Sequence, residues 1–487
     1  MATTMGMEGT VAVASVRSTD GGNVTTVQRQ ALPLLSSSGI SEEGVRPHLD
    51  YELVLDCVHC GLCTASCPTY VETGHEADSP RGRIYLMRQV LDGVLPLDAD
   101  VERHLDLCLN CRACETACPS GVQYGRILEP FRLAMAERSP GRQVRTLSRW
   151  QRWLLFHVFP YRWRNRWVLA PARLLQWTGL DGLLEQLGLL RLLPRSLRTM
   201  REMLPPLEPH YGSLPEVLEA EGRRRARVAL FLGCVADALY PQTNYATARV
   251  LQANGCEVWI PPAQTCCGAL HYHAAEEAAA QELAAVNCQV FGAMEGGRLS
   301  EVDAIITNAA GCGAQLKDYA HLMQNTPYAE AAARFQSKVR DVHEFLAELG
   351  LVPPRYPLPV RATYHDACHL RHAQQIAQPP RALLQQIPQL ELVPLPESEL
   401  CCGAAGSYNL TQPEMAARLG DRKVDRILST GAQAVLTGNV GCLMQITRHL
   451  RSQGSRLWVA HPMDALWAAY SGDYPLAVSE LLAAARR

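Results

Sequence analysis

The 487-residue chain lacks an excess of either charge: 46 Lys and Arg stand against 48 Asp and Glu. A formal charge of −2 excludes a protein whose main work is gripping a phosphate backbone, so no nucleic-acid partner is expected. The chain also lacks an apolar run of about 18 residues, so no membrane-spanning helix is expected. Residues 1–40 show no basic stretch followed by an apolar core, and no secretory signal is visible. The dinucleotide fingerprint G-x-G-x-x-G is missing, since Gly311-Cys312-Gly313 has no third glycine. No flavin or nicotinamide site is therefore evident, and no catalytic residue is assigned. Disorder is excluded by 47% apolar and 19% charged residues. At ~100–200 residues per domain, the length predicts about three domains.

What is present is cysteine, at 18 positions. Without a secretory signal, that number points to metal or redox chemistry before a disulfide scaffold, and to a reducing, cytoplasmic setting. Cys57, Cys60, Cys63 and Cys67-Pro68 have the spacing C-x2-C-x2-C-x3-C-P, and Cys108, Cys111, Cys114 and Cys118-Pro119 repeat it. This is the bacterial ferredoxin ligand run for [4Fe–4S] clusters. Three cysteines at this spacing can wrap three iron corners of one cube, while the fourth points to the neighbouring cube. The expected sets are Cys57, Cys60, Cys63 and Cys118 on one cluster, and Cys108, Cys111, Cys114 and Cys67 on the other. Zinc is disfavoured, because a zinc site wants two pairs separated by about a dozen residues. Between the runs, Pro80–Leu91 reads as a helix, which suits an α-helical ferredoxin domain. Arg81, Arg83 and Arg88 are expected as solvated helix residues, with balance of cluster charge as their other role.

The second half of the chain is an internal repeat. An apolar strand ends at Cys234; Val258-Trp259-Ile260 precedes Cys266-Cys267-Gly268; Ala304–Asn308 precedes Gly311-Cys312. The pattern recurs as Ala362–Asp366 before Cys368, Leu390–Val393 before Cys401-Cys402-Gly403, and Ala434–Thr437 before Gly441-Cys442. The single cysteine precedes the pair by 32 and 33 residues. Short apolar strands alternating with helices predict parallel α/β units with the cysteines at the carboxyl ends of the strands. Helices are expected to begin just after Gly268 and Gly403. The fold class is thus α+β multidomain: an α-helical ferredoxin domain followed by two duplicated α/β Cys-Cys-Gly domains. The expected divisions are a disordered tail (1–47), a two-cluster ferredoxin-like domain (48–140), a Trp/Arg-rich helical connector (141–225), and Cys-Cys-Gly domains at 226–350 and 360–487. The Pro-rich stretch 352–357 reads as the linker between the last two.

Two ferredoxin runs joined to two Cys-Cys-Gly repeats resemble the iron–sulfur subunit of glycolate oxidase, from about residue 48 onward. Its relatives include iron–sulfur subunits for anaerobic glycerol-3-phosphate dehydrogenase and lactate utilisation, and heterodisulfide reductase subunits. The resemblance implies a complex in which FAD-containing 2-hydroxy-acid dehydrogenase subunits oxidise glycolate to glyoxylate. This chain would carry the electrons toward a quinone or other membrane acceptor. In heterodisulfide reductases the module ends in C-x-x-C and supplies five cysteines to an unusual cluster. Here Gln315 and Gln445 replace the final cysteine, which counts against that cluster and against thiol–disulfide chemistry. Four thiolates remain in each half: Cys234, Cys266, Cys267 and Cys312, then Cys368, Cys401, Cys402 and Cys442. Four suffice for one or two further clusters; the alternative is packed free thiols. His271, His273, His365, His369 and His372 lie near these sites, and core or surface positions are the expectation for each. Cys256 and Cys288 match nothing in the other half and are expected as packed thiols.

From Gly141 to Leu180 there is no acidic residue, and the stretch holds Trp150, Trp153, Trp163, Trp167 and Trp177. Trp and Arg at near-helical spacing fit either a helix lying on the cytoplasmic face of the inner membrane or a docking surface for a partner subunit. Pro160 is expected to divide that helix.

Overall fold

The computed structural model describes residues 50–138, 148–188, 198, 201–202, 204–207, 214–475 and 477–480. The expected tail, 1–47, lies outside them. Residues 50–138 are helical. The main helices are Pro68–Thr73, Pro80–Leu91, Ala99–Asp106 and Tyr124–Arg138. Pro68 and Pro80 occupy first helical positions, where the missing N–H costs nothing. Ser79 Oγ accepts the Gly82 N–H at 3.0 Å, and Asp98 accepts from Asp100 and Val101. These helices close on one small core containing Met87, Leu105, Ile127, Leu128 and Phe131, so each cysteine run is a loop pinned between helices.

The connector runs as a helix over Arg149–Trp153, one wide turn over Leu154–Val158, and a helix over Arg162–Trp177. The break falls at Pro160, which supplies no N–H.

The first sheet contains β1 (Val217–Leu218), β2 (Ala226–Phe231), β3 (Cys256–Trp259), β4 (Ala304–Thr307) and β5 (Val339–Asp341), in the order β1-β3-β2-β4-β5. The second contains β6 (Arg361–Tyr364), β7 (Glu391–Val393), β8 (Ala434–Leu436) and β9 (Trp458–Ala460), in the order β7-β6-β8-β9. Every pair is parallel except β1 with β3. Without β1 the two orders are the same. In each, the chain leaves the central strand to one side and returns on the other. Such a reversal opens a crevice beyond the carboxyl ends of the strands. The cysteines follow those ends: Cys234 after β2, Cys312 after β4, Cys368 after β6 and Cys442 after β8.

Three sequence expectations change. β1 lies within the stretch read as connector, yet it pairs with β3 and edges the first sheet. The helix expected directly after Gly403 is displaced. Ala405 (φ 30°) and Gly406 (φ 64°) are left-handed, which keeps the chain in a turn until Tyr408. After Gly268 the short helix Ala269–His273 does begin at once. The Pro-rich stretch does not divide the repeats into separate cores, because one apolar cluster contains Val228, Leu230 and Ile306 together with Ala362, Tyr364 and Leu436. Thr243 Oγ1 donates to Asp464 at 3.0 Å across the same junction.

Candidate metal centres

Each ferredoxin run bends through the same backbone conformation. His59 (φ 54°) and Gly61 (φ 85°) flank Cys60, and Asn110 (φ 52°) and Arg112 (φ 59°) flank Cys111. Left-handed residues on either side of a ligand turn a loop into a concave cradle that can surround an anion. The repeated geometry follows from the repeated spacing.

One cavity is lined by Cys67, Cys108, Cys111 and Cys114, with Arg83 and Tyr124. Cys67 lines this cavity with the second run, and it also acts electrostatically on Cys63 of its own run. Cys118 acts electrostatically on Cys57, which puts it beside the first run. Burial, then neighbouring thiols, pushes Cys111 and Cys114 well above the ordinary thiol range. Without a metal these groups stay protonated; bound cationic iron would hold them as thiolates. The donor set therefore fits an iron–sulfur cluster.

Arg83 is 1% exposed, against the expectation of a solvated residue. Its Nη1 lies 3.8 Å from Cys67 Sγ, Nη2 donates to Thr69 Oγ1 at 3.0 Å, and Nε donates to His104 O at 2.7 Å. Burial opposes its charge, but Cys108, Tyr124, Cys67 and Asp78 outweigh that and keep it protonated. Arg81 and Arg88 are partly exposed and pair with Glu76 and Asp92, as expected of helix-surface residues.

In the first repeat, Cys234 Sγ lies 3.3 Å from Cys266 Sγ, and Cys267 and Cys312 adjoin them. Cys266 is held well below the ordinary thiol value by hydrogen bonds from Cys234 and Cys267, with the Gly268 N–H at 3.4 Å adding to them. In the second repeat Cys402 plays that role, through Cys401 and Cys442 and then His365. Asn439 Nδ2 donates to Cys442 Sγ at 3.6 Å. Each repeat thus gathers four cysteines, Cys368 joining the second set through Cys401, and such a donor set fits iron. Gln445 turns away, donating to Ala416 O at 3.0 Å.

Of the five histidines, four tie modules together. His271 contacts Phe156 O, and His273 pairs with Glu129 at 3.1 Å. His369 contacts Asn110 O at 3.0 Å, and His372 contacts Thr116 Oγ1 at 3.0 Å. The last two, with the Tyr408 hydroxyl donating to Leu107 O at 2.8 Å, seat the second cysteine run on the second repeat. Cys111 and Cys368 consequently interact across that junction. The connector covers the first repeat: the Cys266 N–H donates to Pro160 O at 3.2 Å, and Arg162 pairs with Asp237 at 2.8 Å. Cys256 and Cys288 are fully buried in strand and helix, and burial raises both to about 12. They are packed thiols.

Lys423 escaped sequence reading. It is 2% exposed, donates to Glu397 O, and faces Cys401, Cys402 and Cys442 electrostatically. The signal was available, since Lys423 falls on the stripe of Met415, Leu419 and Ile427 that buries helix Pro413–Ser429.

Residues 53–122 match the 4Fe-4S dicluster domain family, and residues 228–317 and 362–447 each match the Cysteine-rich domain family. Residues 147–204 match the family described as glycolate oxidase iron-sulfur subunit, linker region. A probable glycolate oxidase iron-sulfur subunit of Bacillus subtilis (strain 168) is 40% identical over 436 residues, covering 87% of this chain and 96% of that protein. The chain belongs to that family. The glycolate oxidase iron-sulfur subunit of Escherichia coli (strain K12) is 34% identical over 420 residues, covering 84% of this chain and 93% of that protein. Lactate utilization protein A of an Exiguobacterium strain is 31% identical over 241 residues, 49% of this chain and 96% of that protein. Like other glycolate oxidase iron–sulfur subunits, this chain carries iron–sulfur clusters and works as the electron-transfer component of an oxidoreductase.

Proposed function

We propose that the chain relays electrons from an FAD-containing subunit that oxidises glycolate to glyoxylate toward a membrane quinone. The substrate comes from the names of the two relatives that match nearly end to end; no residue here selects it. The ligands of the two [4Fe–4S] clusters are Cys57, Cys60, Cys63 and Cys118, and Cys67, Cys108, Cys111 and Cys114. Cys234, Cys266, Cys267 and Cys312 hold a further cluster, as do Cys368, Cys401, Cys402 and Cys442. When bound, these clusters accept and pass single electrons.

The observation that carries the reading is the seating of the second cysteine run on the second repeat, with Cys111 beside Cys368. Chain residues do the rest. Arg83 supplies a buried positive charge, Lys423 is a buried amine that burial pulls below its ordinary value while the neighbouring thiols favour its charge, and Leu109, Cys111, Cys401 and Tyr408 share one apolar cluster that keeps water from the junction. At the other end, a cavity of about 470 Å³ opens between connector and first repeat, lined by Tyr161, Arg162, Trp163, Arg173, Tyr245 and Gln264. Its walls combine the rings of Tyr161, Trp163 and Tyr245 with polar groups such as Arg162, Arg173 and Gln264, so a quinone head could stack on the first and accept hydrogen bonds from the second. Trp163, which lines it, and Trp167 and Trp177 on the same helix are 62%, 74% and 81% exposed, which supports peripheral attachment to the inner membrane from the cytoplasm. Among the described residues no helix is long and apolar enough to cross a membrane.

Co-purification with its partners, followed by dye reduction with glycolate, D-lactate and glycerol 3-phosphate, tests the reading. Reduction by glycolate with a flavoprotein present is expected. A preparation reduced by lactate or glycerol 3-phosphate alone would overturn the substrate. Iron near eight atoms per chain would empty the repeats and about twelve would load only one, while about sixteen is expected if about four go to each of four cubanes.

A further inference from the structure

The two repeats share strand order and cysteine plan, yet the residue three places before the single cysteine differs. It is Phe231 in the first and His365 in the second. Phe231 closes the end of β2 and packs against Phe291, with ring centroids 6.0 Å apart. His365 is 0% exposed and follows directly after β6. Its Nδ1 lies 2.9 Å from Ser398 O, and a carbonyl can only accept, so Nδ1 carries the proton. That bond fixes the tautomer and leaves Nε2 with its lone pair free. Nε2 is buried and, among the described residues, faces no nitrogen or oxygen partner, only the sulfur of Cys402. It shares a space with Cys402 Sγ and Cys442 Sγ, all within 4.8 Å of one another and all buried.

A buried imidazole with one nitrogen tied to a carbonyl and the other aimed at two thiols has the arrangement of a metal-ligating histidine with its orienting partner. A thiol is a weak partner for that buried lone pair, and a metal ion satisfies it fully. We propose that His365 Nε2 ligates iron in the second repeat, beside Cys402 and Cys442, so that the two repeats hold chemically different centres. This rests on the reading that the repeats are loaded, and it deepens that reading. The first repeat, with Phe231 at this position, supplies thiolates alone. The second mixes imidazole with thiolate. A neutral imidazole in place of an anionic thiolate lowers the negative charge gathered on the iron and raises its reduction potential. Lys423, buried on the same side, acts in the same direction. The second repeat is then the higher-potential centre, and it is the one against which the second ferredoxin run is seated.

The test uses the full chain, grown with 15N-histidine, reduced stepwise and examined by pulsed electron paramagnetic resonance alongside iron counting. A histidine-nitrogen coupling is expected on one signal beyond the two ferredoxin-type signals. In His365→Cys the coupling should vanish, that one potential should shift downward, and the other potentials should stay. The wild-type coupling needs no variant, so a misfolded variant does not spare the proposal. More than about eight irons per chain with no histidine coupling overturns it while leaving the repeat clusters standing. Near eight irons with only two signals, or zinc in the second repeat, overturns both.

Discussion

Replacing Arg83 by Met removes the buried charge beside Cys67 without opening a large void. Arg83 Nη1 sits 3.8 Å from Cys67 Sγ, and Cys67, Cys108, Cys111 and Cys114 would hold the cluster against that charge. At an effective dielectric near 20, a unit charge roughly 4–8 Å away contributes about 2–4 kcal/mol. For a one-electron couple, where tenfold in equilibrium is 59 mV, that becomes about 90–180 mV. A cation favours the reduced, more negative cluster, so Arg83→Met should lower the potential by this order. The other ferredoxin-type cluster should move far less. Arg83→Lys keeps the charge but cannot reach Thr69 and His104 O together, so its shift should be a small fraction of that in the Met variant. Redox titration followed by electron paramagnetic resonance reads both clusters separately. A shift below about 30 mV in Arg83→Met, or equal shifts in the Met and Lys variants, would refute the charge argument.

Other perturbations separate the remaining elements. Cys67→Ser should cost the cluster of the second run and leave that of the first, while Cys118→Ser does the reverse; iron and spin counts distinguish crossed from uncrossed ligation. Gly403 has φ +84° and an added Cβ would lie 2.9 Å from Ala416 O, so Gly403→Ala should destabilise by about 2 kcal/mol or more, seen as a lower melting temperature. Burial raises Asp318 to about 6, above the ordinary carboxyl value. Its contribution is therefore present at low pH and lost as pH rises through 6. Asp318→Asn should gain on the wild type by about 1 kcal/mol between pH 5 and 8 in denaturant midpoints; a constant gap would discount the shift. Changing Trp163, Trp167 and Trp177 together to Ser should abolish flotation with anionic liposomes, and unchanged flotation would remove the membrane surface.

The sequence carried most where the chemistry is local. Cys57 to Cys67 and Cys108 to Cys118 each lie in one short segment, so spacing alone announced a two-cluster domain. The strands β2, β3, β4, β6, β7 and β8 were legible as short apolar runs beside cysteines. β1, β5 and β9 were not, being two or three residues long with no cysteine beside them to mark them. The setting of His365 was hidden for another reason. Residues 365, 402 and 442 meet only because β6 and β8 are neighbours, and sheet order is not written in any one segment. Arg83 was misjudged because a helix-surface residue and a buried one look alike until a second helix covers them; here His104 and its helix do so.

The joined core of the repeats bears on how such a protein can change over generations. Each half is the other's lid, so neither could be deleted, shuffled into another gene or expressed alone without uncovering a broad greasy face. The smallest transferable unit is the pair. Within that pair the ligand loops stand at the strand tips, away from the shared interior. Substitutions such as Phe231 opposite His365 could accumulate on one side without disturbing the other. Duplication thus locked the scaffold while leaving each metal pocket free to acquire its own chemistry.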